Sequence, residues 1–318
     1  RRWHVVLTRN LYFSHVTQSV IKLLGRIVAP EAIDYDNLTY RKKEDAVLHF
    51  YTYGITSDPL TQFAAAFSAL IHDLDHKGVP NATLVKERTE EAIRYKNKSV
   101  AEQNSVDLAW ELLMKPEYVD LRACIYNSRK EFLRFRQLVV NAVMATDIVD
   151  KELKALRNKR WETAFSTSEE QSTTDATVDP LKRSAEDMNR KATIVIEHLI
   201  QASDVSHTMQ HWHVYQKWNQ RFFFECYQAY LDGRADNDPA DGWYKGELGF
   251  FDFYIIPLAK KLKECGVFGV SSDEFLQYAE SNRKEWEEKG QDLVDQYIAA
   301  YKEHVFGGFR RTGPGHLP

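Results

Sequence analysis

The segment from Phe63 to Asn81 joins an apolar helical run to a tight group of titratable side chains, His72, Asp73, Asp75 and His76. Burying such groups at the end of a core helix is costly unless something compensates their charge. A bound metal ion is the usual compensation, because an adjacent His-Asp pair offers an imidazole nitrogen and a carboxylate oxygen, which suit zinc, manganese or iron. A carboxylate can also bridge two ions, as two-metal hydrolases require.

A simpler interpretation of the same segment is also open. An isolated His-Asp pair is more often a surface or capping pair than a metal site. Here four titratable residues fall within five positions, at the end of an apolar spacing at positions 63, 67, 70, 71 and 74. This combination favours the metal site.

Charge and composition exclude several classes of function. The chain has 318 residues, 43% hydrophobic and 13% aromatic, which indicates a globular protein with a substantial core. Its net charge is -4, so no basic excess draws it to nucleic acid or to anionic lipid. We therefore expect no nucleic-acid partner, and an anionic substrate would need local positive charge such as a metal site supplies.

The cysteines and the hydropathy pattern bear on the compartment. Cys124, Cys226 and Cys265 are scattered and odd in number, which favours a reducing compartment over a disulfide framework. No run approaches the roughly 18 apolar residues of a membrane span, so we expect no direct membrane insertion. The first eight residues lack the pattern of a signal peptide, and the chain is predicted to be a piece of a longer protein.

Helical periodicity dominates and predicts an all-α fold. The helix that leads to His72 is expected to begin at Asp58-Pro59, an N-cap followed by proline at the first helical position. Further apolar stripes are Val16, Val20, Leu23, Leu24 and Ile27; Val106, Ala109, Trp110, Leu113 and Met114; Ala192, Val195, Ile196, Leu199 and Ala202; Trp212, Tyr215, Trp218, Phe222 and Phe223; and the segments 248–265 and 275–301.

The domain prediction is one domain over residues 1–306. Residues 163–179 are rich in Ser, Thr, Asp and Glu and are expected to form a flexible surface loop. Residues 307–318 are expected to be a disordered tail.

Two further acids lie where helices are expected to end or begin. Asp204 follows an amphipathic stripe, and helix ends are where distant ligands converge on a metal in a bundle core. A lone Asp at such a place is more often a cap. Glu102 lies at a helix start, where a charge favoured by the helix dipole is an equal alternative.

Glu247 and Phe250 are three residues apart and so share one side of a helix. A carboxyl group and a flat apolar ring in that arrangement could hold a heterocyclic base through edge contacts and stacking. A core aromatic beside a capping Glu is the alternative for this segment taken alone.

Taken together, these segments resemble the class I 3′,5′-cyclic nucleotide phosphodiesterases. The resemblance extends from about Tyr12 to about Trp286 and keeps the order and approximate spacing of the family's motifs. It looks most similar to a protist and algal branch, in which the domain often follows a nucleotide cyclase domain. It rests on His72-Asp-Leu-Asp-His-Lys-Gly78 with Asn81, Glu102, Ala145-Thr-Asp147, Ala202-Ser-Asp204, and Leu248-Gly-Phe-Phe-Asp252 before Pro257.

The resemblance implies a compact multi-helix, HD-domain-like catalytic domain with two divalent ions, zinc and magnesium or manganese. The implied metal ligands are His72, Asp73 and Asp204, with Asp73 as the bridge between the ions. Together with Asp73, the implied catalytic residues are His76 and Glu102, which orient metal-bound water.

The resemblance also implies a substrate-binding set. Phe250 matches the stacking aromatic, and Glu247 stands where the family usually has a purine-selecting Gln. His207, just after Asp204, is the third residue expected to contact the cyclic nucleotide substrate.

One family motif is missing. The first signature, His-Asn-x-x-His, supplies a proton donor and a metal ligand, but Thr8, Arg9 and Tyr12 stand at those positions. Tyrosine is a poor zinc ligand at neutral pH, because its phenol must lose a proton. Three explanations are open: foreign sequence at a truncation or mis-spliced boundary, a genuine pseudoenzyme, or replacement by His4 or His15.

The leading hypothesis is hydrolysis of cAMP, cGMP or both to the 5′-monophosphate, by a domain that lacks its N-terminal helices. The alternative is a catalytically inactive nucleotide-binding or regulatory module, and a related His-Asp hydrolase is disfavoured by the Glu247–Phe250 segment. The expected location is cytoplasmic, or the cytoplasmic domain of a membrane-anchored protein, possibly joined to a cyclase domain. The sequence does not decide between cAMP and cGMP.

Overall fold

A computed structural model describes residues 15–27, 48–165, 185–268 and 272–310. Across these ranges the chain is helical, with no β-strand, and the predicted all-α fold is confirmed. The helices are α1 (15–24), α2 (48–51), α3 (Pro59–Ile71), α4 (Asn81–Glu87), α5 (Glu90–Arg94), α6 (Val100–Leu113), α7 (Val119–Ile125), α8 (Arg129–Met144), α9 (Lys151–Phe165), α10 (Ala185–Asp204), α11 (Trp212–Leu231), α12 (Trp243–Phe250), α13 (Ile256–Glu264) and α14 (Ser272–Arg310).

The chain divides into two compact units. The first contains the described residues within Arg1–Lys77, Leu84–Ser206 and Lys260–Asp273. The second contains those within Gly78–Thr83, His207–Ala259 and Glu274–Pro318. The sequence pattern predicts a single domain.

Helix α3 begins as its sequence predicts. The Asp58 side chain accepts a hydrogen bond from the Thr61 amide at 3.3 Å, and Pro59 occupies the first turn, where its missing N–H is not needed. The helix ends after Ile71, and His72 is its C-terminal cap residue. The predicted metal ligands therefore lie at the C-terminal end of a well-capped helix.

The core of the first unit lies between α3, α6 and α8. Its centre is Phe135 on α8, which is fully buried and packs with the rings of Phe63, Phe67 and Trp110 at centroid distances of 5.9, 5.6 and 6.0 Å. Burial of a large aromatic ring is among the strongest single contributions to a core. This packing fixes α3 against the helices that carry Glu102 and the 145–147 turn.

Helix α10 also follows its predicted pattern. Val195, Ile196, Leu199 and Ala202 are buried, and the helix contacts both α3 and α8. It ends at Asp204, as the apolar stripe predicts. Since α3 and α10 pack together, the ends of both helices belong to one rigid core.

The second unit is built on aromatic packing between α11, α14 and the turn that follows α12. Tyr215 is fully buried, and its ring lies 5.3 Å from that of Phe251 and 5.8 Å from that of Trp286. Residues Phe251–Ile255 between α12 and α13 form a π-helical turn. Such turns occur mostly as single insertions in α-helices, frequently at functional sites.

Several boundaries and faces differ from the sequence-based expectation. Helix α9 continues to Phe165, so helix occupies the first three positions of the expected loop, and the rest of that loop lies outside the described residues. Helix α14 continues to Arg310, past the expected start of the tail at 307. Met114 and Phe222 are 45% and 56% exposed, because each lies at the edge of its apolar stripe.

The cysteines and the hydropathy of the helices can be compared with the sequence-based expectations. The three cysteines are unpaired; Cys124 is exposed and Cys265 is buried. None of the described helices combines the length and the hydropathy that a membrane span requires.

Candidate active site

The His72 imidazole is the centre of the candidate site. It is 2% exposed, and its Nδ1 lies 2.9 Å from the carbonyl oxygen of Ala69. A carbonyl oxygen only accepts hydrogen bonds, so this contact assigns the proton to Nδ1. Nε2 is therefore the nitrogen that can serve as a ligand.

Two carboxylates converge on this nitrogen. Nε2 of His72 lies 3.6 Å from Oδ2 of Asp73 and 3.3 Å from Oδ1 of Asp204. The Asp73 and Asp204 side chains are 33% and 22% exposed, so the cluster opens to solvent on the carboxylate side. The ends of α3 and α10 thus bring together the three side chains that the sequence singles out as metal ligands.

The cluster requires a positive charge. With Nδ1 protonated, a neutral imidazole would direct its lone pair at two carboxylate oxygens. Burial alone lowers the pKa of His72, but the charges of Asp73 and Asp204, the contact with Asp204 and the bond to Ala69 outweigh burial and raise that pKa to about 9. A proton on Nε2 compensates the carboxylates in the metal-free chain, and a bound cation would take its place.

The donor set fits a metal ion by type and by separation. Ligands at 2.0–2.2 Å from a tetrahedral ion lie about 3.3–3.6 Å from one another, which matches the two distances from Nε2. Over the described ranges, no group of three or more His, Cys, Asp or Glu residues forms a complete metal site. Ligands close around an ion only when it is bound, and the separations from Nε2 are those of a set that can close around one.

The predicted catalytic residues His76 and Glu102 lie on neighbouring segments of the same unit. His76 is half-buried, and its amide donates to the Asp73 carbonyl at 3.0 Å. Glu102 is half-buried in the first turn of α6. The Ser105 hydroxyl, one turn later, donates to the carbonyl of Leu74 at 3.0 Å and so ties α6 to the His72–His76 segment. The catalytic roles of His76 and Glu102 stay predictions.

In the second unit, Glu247 lies in a buried polar network. The Tyr215 hydroxyl donates to Oε2 of Glu247 at 2.7 Å, and Asn219 Nδ2 lies 3.3 Å from the same hydroxyl. Trp243 Nε1 donates to Asn219 Oδ1 at 3.1 Å and completes the chain of contacts. Burial raises the pKa of Glu247 to about 7, against the hydrogen bonds from Tyr215 and Asn219, which lower it.

The other predicted substrate contacts lie in the same unit. Phe250 is half-buried, and its ring stacks on Tyr254 with a centroid distance of 5.3 Å and an interplanar angle of 16°. His207 is half-buried in a short 3₁₀ turn, with its ring 6.3 Å from that of Trp218. The substrate-binding roles of Glu247, Phe250 and His207 stay predictions.

Sequence reasoning missed Tyr215, Asn219 and Tyr254 as partners of this segment. The apolar stripe predicts Tyr215 only as a core residue, and the contact of its hydroxyl with Glu247 crosses 32 positions of sequence. Tyr254 follows Phe250 by four positions, a spacing that could have suggested a ring pair on one helix face.

A separate cavity of about 570 Å³ lies at the N-terminal end of α3. Its lining includes Tyr53, Asp58, Thr61 and Arg134, and Arg134 pairs with Asp58 there. The predicted metal ligands lie at the other end of α3. The cavity therefore has no part in the candidate active site.

Comparison with known proteins identifies the class. The profile of the 3′5′-cyclic nucleotide phosphodiesterase family matches residues 46–268, well over half of the chain. The chain belongs to this family, whose members depend on metal ions. The matched range includes every predicted site residue from His72 to Phe250.

Individual relatives agree. A probable 3′,5′-cyclic phosphodiesterase of Caenorhabditis elegans, pde-3, is 25% identical over 70% of this chain and 31% of its own length. A probable 3′,5′-cyclic-AMP phosphodiesterase of the same worm, pde-4, is 29% identical over 63% of the chain and 29% of its own length. The human dual specificity calcium/calmodulin-dependent 3′,5′-cyclic nucleotide phosphodiesterase 1C is 26% identical over 70% of the chain and 30% of its own length. The chain thus spans less than a third of these relatives.

A solved structure supports the fold. The phosphodiesterase domain of the RhoPDE fusion protein from the choanoflagellate Salpingoeca rosetta superposes with a TM-score of 0.56 at 21% identity. The match covers 80% of this chain and 78% of that domain.

Glu247 should give the stability of the chain a pH dependence of its own. The unfolded chain releases this proton near pH 4.5, whereas the folded chain keeps it to about pH 7. The free energy of unfolding should therefore fall as pH rises through that window, by at most about 3 kcal/mol from this group. Glu247→Gln keeps an acceptor for Tyr215 and removes the ionisation.

The measurement is denaturant unfolding of both forms at pH 5 and pH 8. The stability of the Gln form relative to the wild type should increase with pH. Glu280→Gln, at an exposed position of α14, is the control and should keep a constant offset. If the difference in unfolding free energy between Glu247→Gln and the wild type were also the same at both pH values, the raised pKa of Glu247 would be contradicted.

Proposed function

We propose that this chain hydrolyses a 3′,5′-cyclic nucleotide to the 5′-monophosphate with the help of two divalent metal ions. The observation that carries the proposal is the convergence of Asp73 and Asp204 on Nε2 of His72, at 3.6 and 3.3 Å. Family membership supplies the reaction class, and the matched range contains all three side chains.

The residues of the cluster have separate tasks in this proposal. His72, Asp73 and Asp204 would hold the ions, which we propose to be zinc and magnesium or manganese, and Asp73 would be the ligand that they share. When bound, the ions activate the attacking water and neutralise charge on the phosphoryl oxygens. His76 and Glu102 orient that water through hydrogen bonds, as side chains around metal ligands commonly do. The Nδ1–H bond to Ala69 keeps the His72 ring in its ligating orientation.

The base is proposed to bind the Glu247–Phe250 segment, with His207 as a further substrate contact. The ring of Phe250 offers a stacking surface, and Glu247 reads the edge of the base. A protonated Glu247 both donates and accepts, as an amide does, whereas the ionised form only accepts. Because the pKa of Glu247 is raised to about 7, both forms are available near neutral pH. This carboxyl group is therefore proposed to set the preference between cAMP and cGMP.

The alternative function is an inactive module that binds nucleotide or regulates a partner. The observation that favours it is the sequence Thr8, Arg9 and Tyr12 in place of the first family motif. These three positions lie outside the described residues. Without a proton donor for the leaving oxygen, hydrolysis should be weaker by roughly 10²–10⁴-fold.

The chain is proposed to work as the catalytic part of a larger protein. It spans less than a third of its curated relatives, and the choanoflagellate relative is described as a domain of a fusion protein. A nucleotide cyclase domain is the proposed fused partner. The proposed location is the cytoplasm, either free or attached to a membrane through another part of the protein.

Asp73→Asn should remove the bridge between the ions. Changes to groups that only support a ligand typically cost 10–100-fold, so loss of a ligand should lower kcat/KM by at least about a hundredfold. The measurement combines cyclic nucleotide hydrolysis with metal content of the purified protein. Asp120→Asn, at an exposed position of α7, should leave both unchanged. Normal metal content and activity in Asp73→Asn would refute the metal assignment.

Phe250→Ala should weaken nucleotide binding. Loss of ring stacking is worth about 1–3 kcal/mol per base in nucleic-acid sites, which corresponds to roughly 5–150-fold in Kd. Titration of cAMP and cGMP by calorimetry, with metal supplied, measures the change. Phe253→Ala is the matched control, because Phe253 is 77% exposed on the next turn. Equal affinities for the two variants would rule out Phe250 as the stacking ring.

The missing motif can be restored. Thr8→His, Arg9→Asn and Tyr12→His together should raise hydrolysis by roughly 10²–10⁴-fold, since they return a general acid and a metal ligand. The assay is initial rate on cAMP and cGMP with both metals present. A wild-type chain as fast as the triple variant would mean that another residue, such as His4 or His15, already does this work.

A further inference from the structure

The turn Ala145-Thr146-Asp147 belongs to the motifs named above, but none of its residues has a role in the proposed reaction. Asp147 is 5% exposed, and both of its carboxylate oxygens are engaged. Oδ1 accepts from the amides of Val149 and Asp150 at 3.2 and 3.1 Å, and Oδ2 accepts from the hydroxyl of Ser99 at 2.6 Å. A buried carboxylate with three donors is a fixed point in a core.

Ser99 is held in an unusual conformation at this fixed point. It is the N-cap residue of α6, but its hydroxyl does not cap the helix. Its φ of 38° lies in the left-handed region, and Lys96 and Asn97 just before it also have positive φ, at 54° and 62°. Such residues are disfavoured outside glycine and persist where the surroundings impose them. The hydrogen bond from its hydroxyl to Asp147 holds the Ser99 side chain in place.

The same turn is fixed from two other helices. Gln201 lies on α10, one helical turn before Asp204, and its side-chain amide donates to the Ala145 carbonyl at 2.8 Å. Arg157 of α9 donates to the Asp147 carbonyl at 2.9 Å. These donors are 5% and 9% exposed, so water competes little with either bond.

We propose that Asp147 is a positioning residue that sets where Glu102 stands relative to the metal ligands. Through Ser99 it fixes the start of α6, and Glu102 follows within the first turn. Through Ala145 and Gln201 the same turn is joined to the helix that ends at Asp204. The Ser105 bond to Leu74 joins α6 to the segment that carries His72 and Asp73. The inference rests on the proposed function, in which Glu102 orients the attacking water.

The test is a double-mutant cycle between Ser99→Ala and Glu102→Gln. Ser99→Ala keeps the backbone strain and removes the bond to Asp147. A misplaced catalytic group costs up to roughly a hundredfold, so we expect kcat to fall by about 10–100-fold with KM changed less than about twofold. In the Glu102→Gln background the same change should lower kcat by less than about threefold.

A buried serine elsewhere in the unit is the control. Ser68 is fully buried on α3 and donates only to its own helix, at the Ala64 carbonyl. Ser68→Ala should leave the kcat and its dependence on Glu102 unchanged. If the losses from Ser99→Ala and Glu102→Gln multiply in the double variant, Ser99 does not act through Glu102 and the proposal fails.

A second readout does not depend on hydrolysis. In the metal-free protein, Ser99→Ala should speed amide hydrogen exchange in residues 100–104 and 147–150 together, and Ser68→Ala should change neither segment. Unchanged exchange in residues 100–104 would overturn the proposal. If the wild-type chain hydrolyses no cyclic nucleotide, the proposed function fails, and the exchange result still decides whether Asp147 fixes the start of α6.

Discussion

The contact between the buried His72 imidazole and two carboxylates is the interaction on which this site depends. A 2% exposed imidazole that faces Asp73 and Asp204 needs a cation to balance it, whether a proton or a metal ion. The surrounding helices keep these three side chains together. Helix α3 is capped by Asp58 at its far end and packed through Phe135, and α10 is buried from Ile194 to Ser203, just before it reaches Asp204.

Much of this arrangement could be predicted from local sequence. The N-cap at Asp58-Pro59, the stripe on α10 and its end at Asp204 all follow from helix periodicity and capping, which depend on neighbouring residues. His72 and Asp73 are neighbours in the sequence, so their proximity needs no tertiary contact. That Asp204 joins them could be expected from the tendency of helix ends to converge in a bundle, and the 3.3 Å contact agrees with it.

Contacts between distant side chains could not be predicted in the same way. The bond from Ser99 to Asp147 crosses 48 positions, and the bond from Tyr215 to Glu247 crosses 32. Each depends on how two helices pack, and no periodic pattern in one sequence encodes that. The π-helical turn at Phe251–Ile255 could not be predicted either, because the apolar pattern of residues 248–265 is equally compatible with one continuous α-helix.

The two polar clusters illustrate different uses of burial. Around His72, opposite charges raise the pKa of a buried base, while at Glu247 burial itself raises the pKa of an acid. The first arrangement favours a cation at the cluster. The second keeps a carboxyl group able to donate as well as accept a hydrogen bond near neutral pH.

The most direct test of the proposed metal centre is a crystal structure of the chain grown with zinc and magnesium, with anomalous data collected on both sides of the zinc edge. We expect a zinc peak about 2.0–2.2 Å from Nε2 of His72 and from carboxylate oxygens of Asp73 and Asp204. A structure in which zinc binds elsewhere, and Nε2 of His72 keeps a direct hydrogen bond to Asp204 with no ion between them, would contradict it.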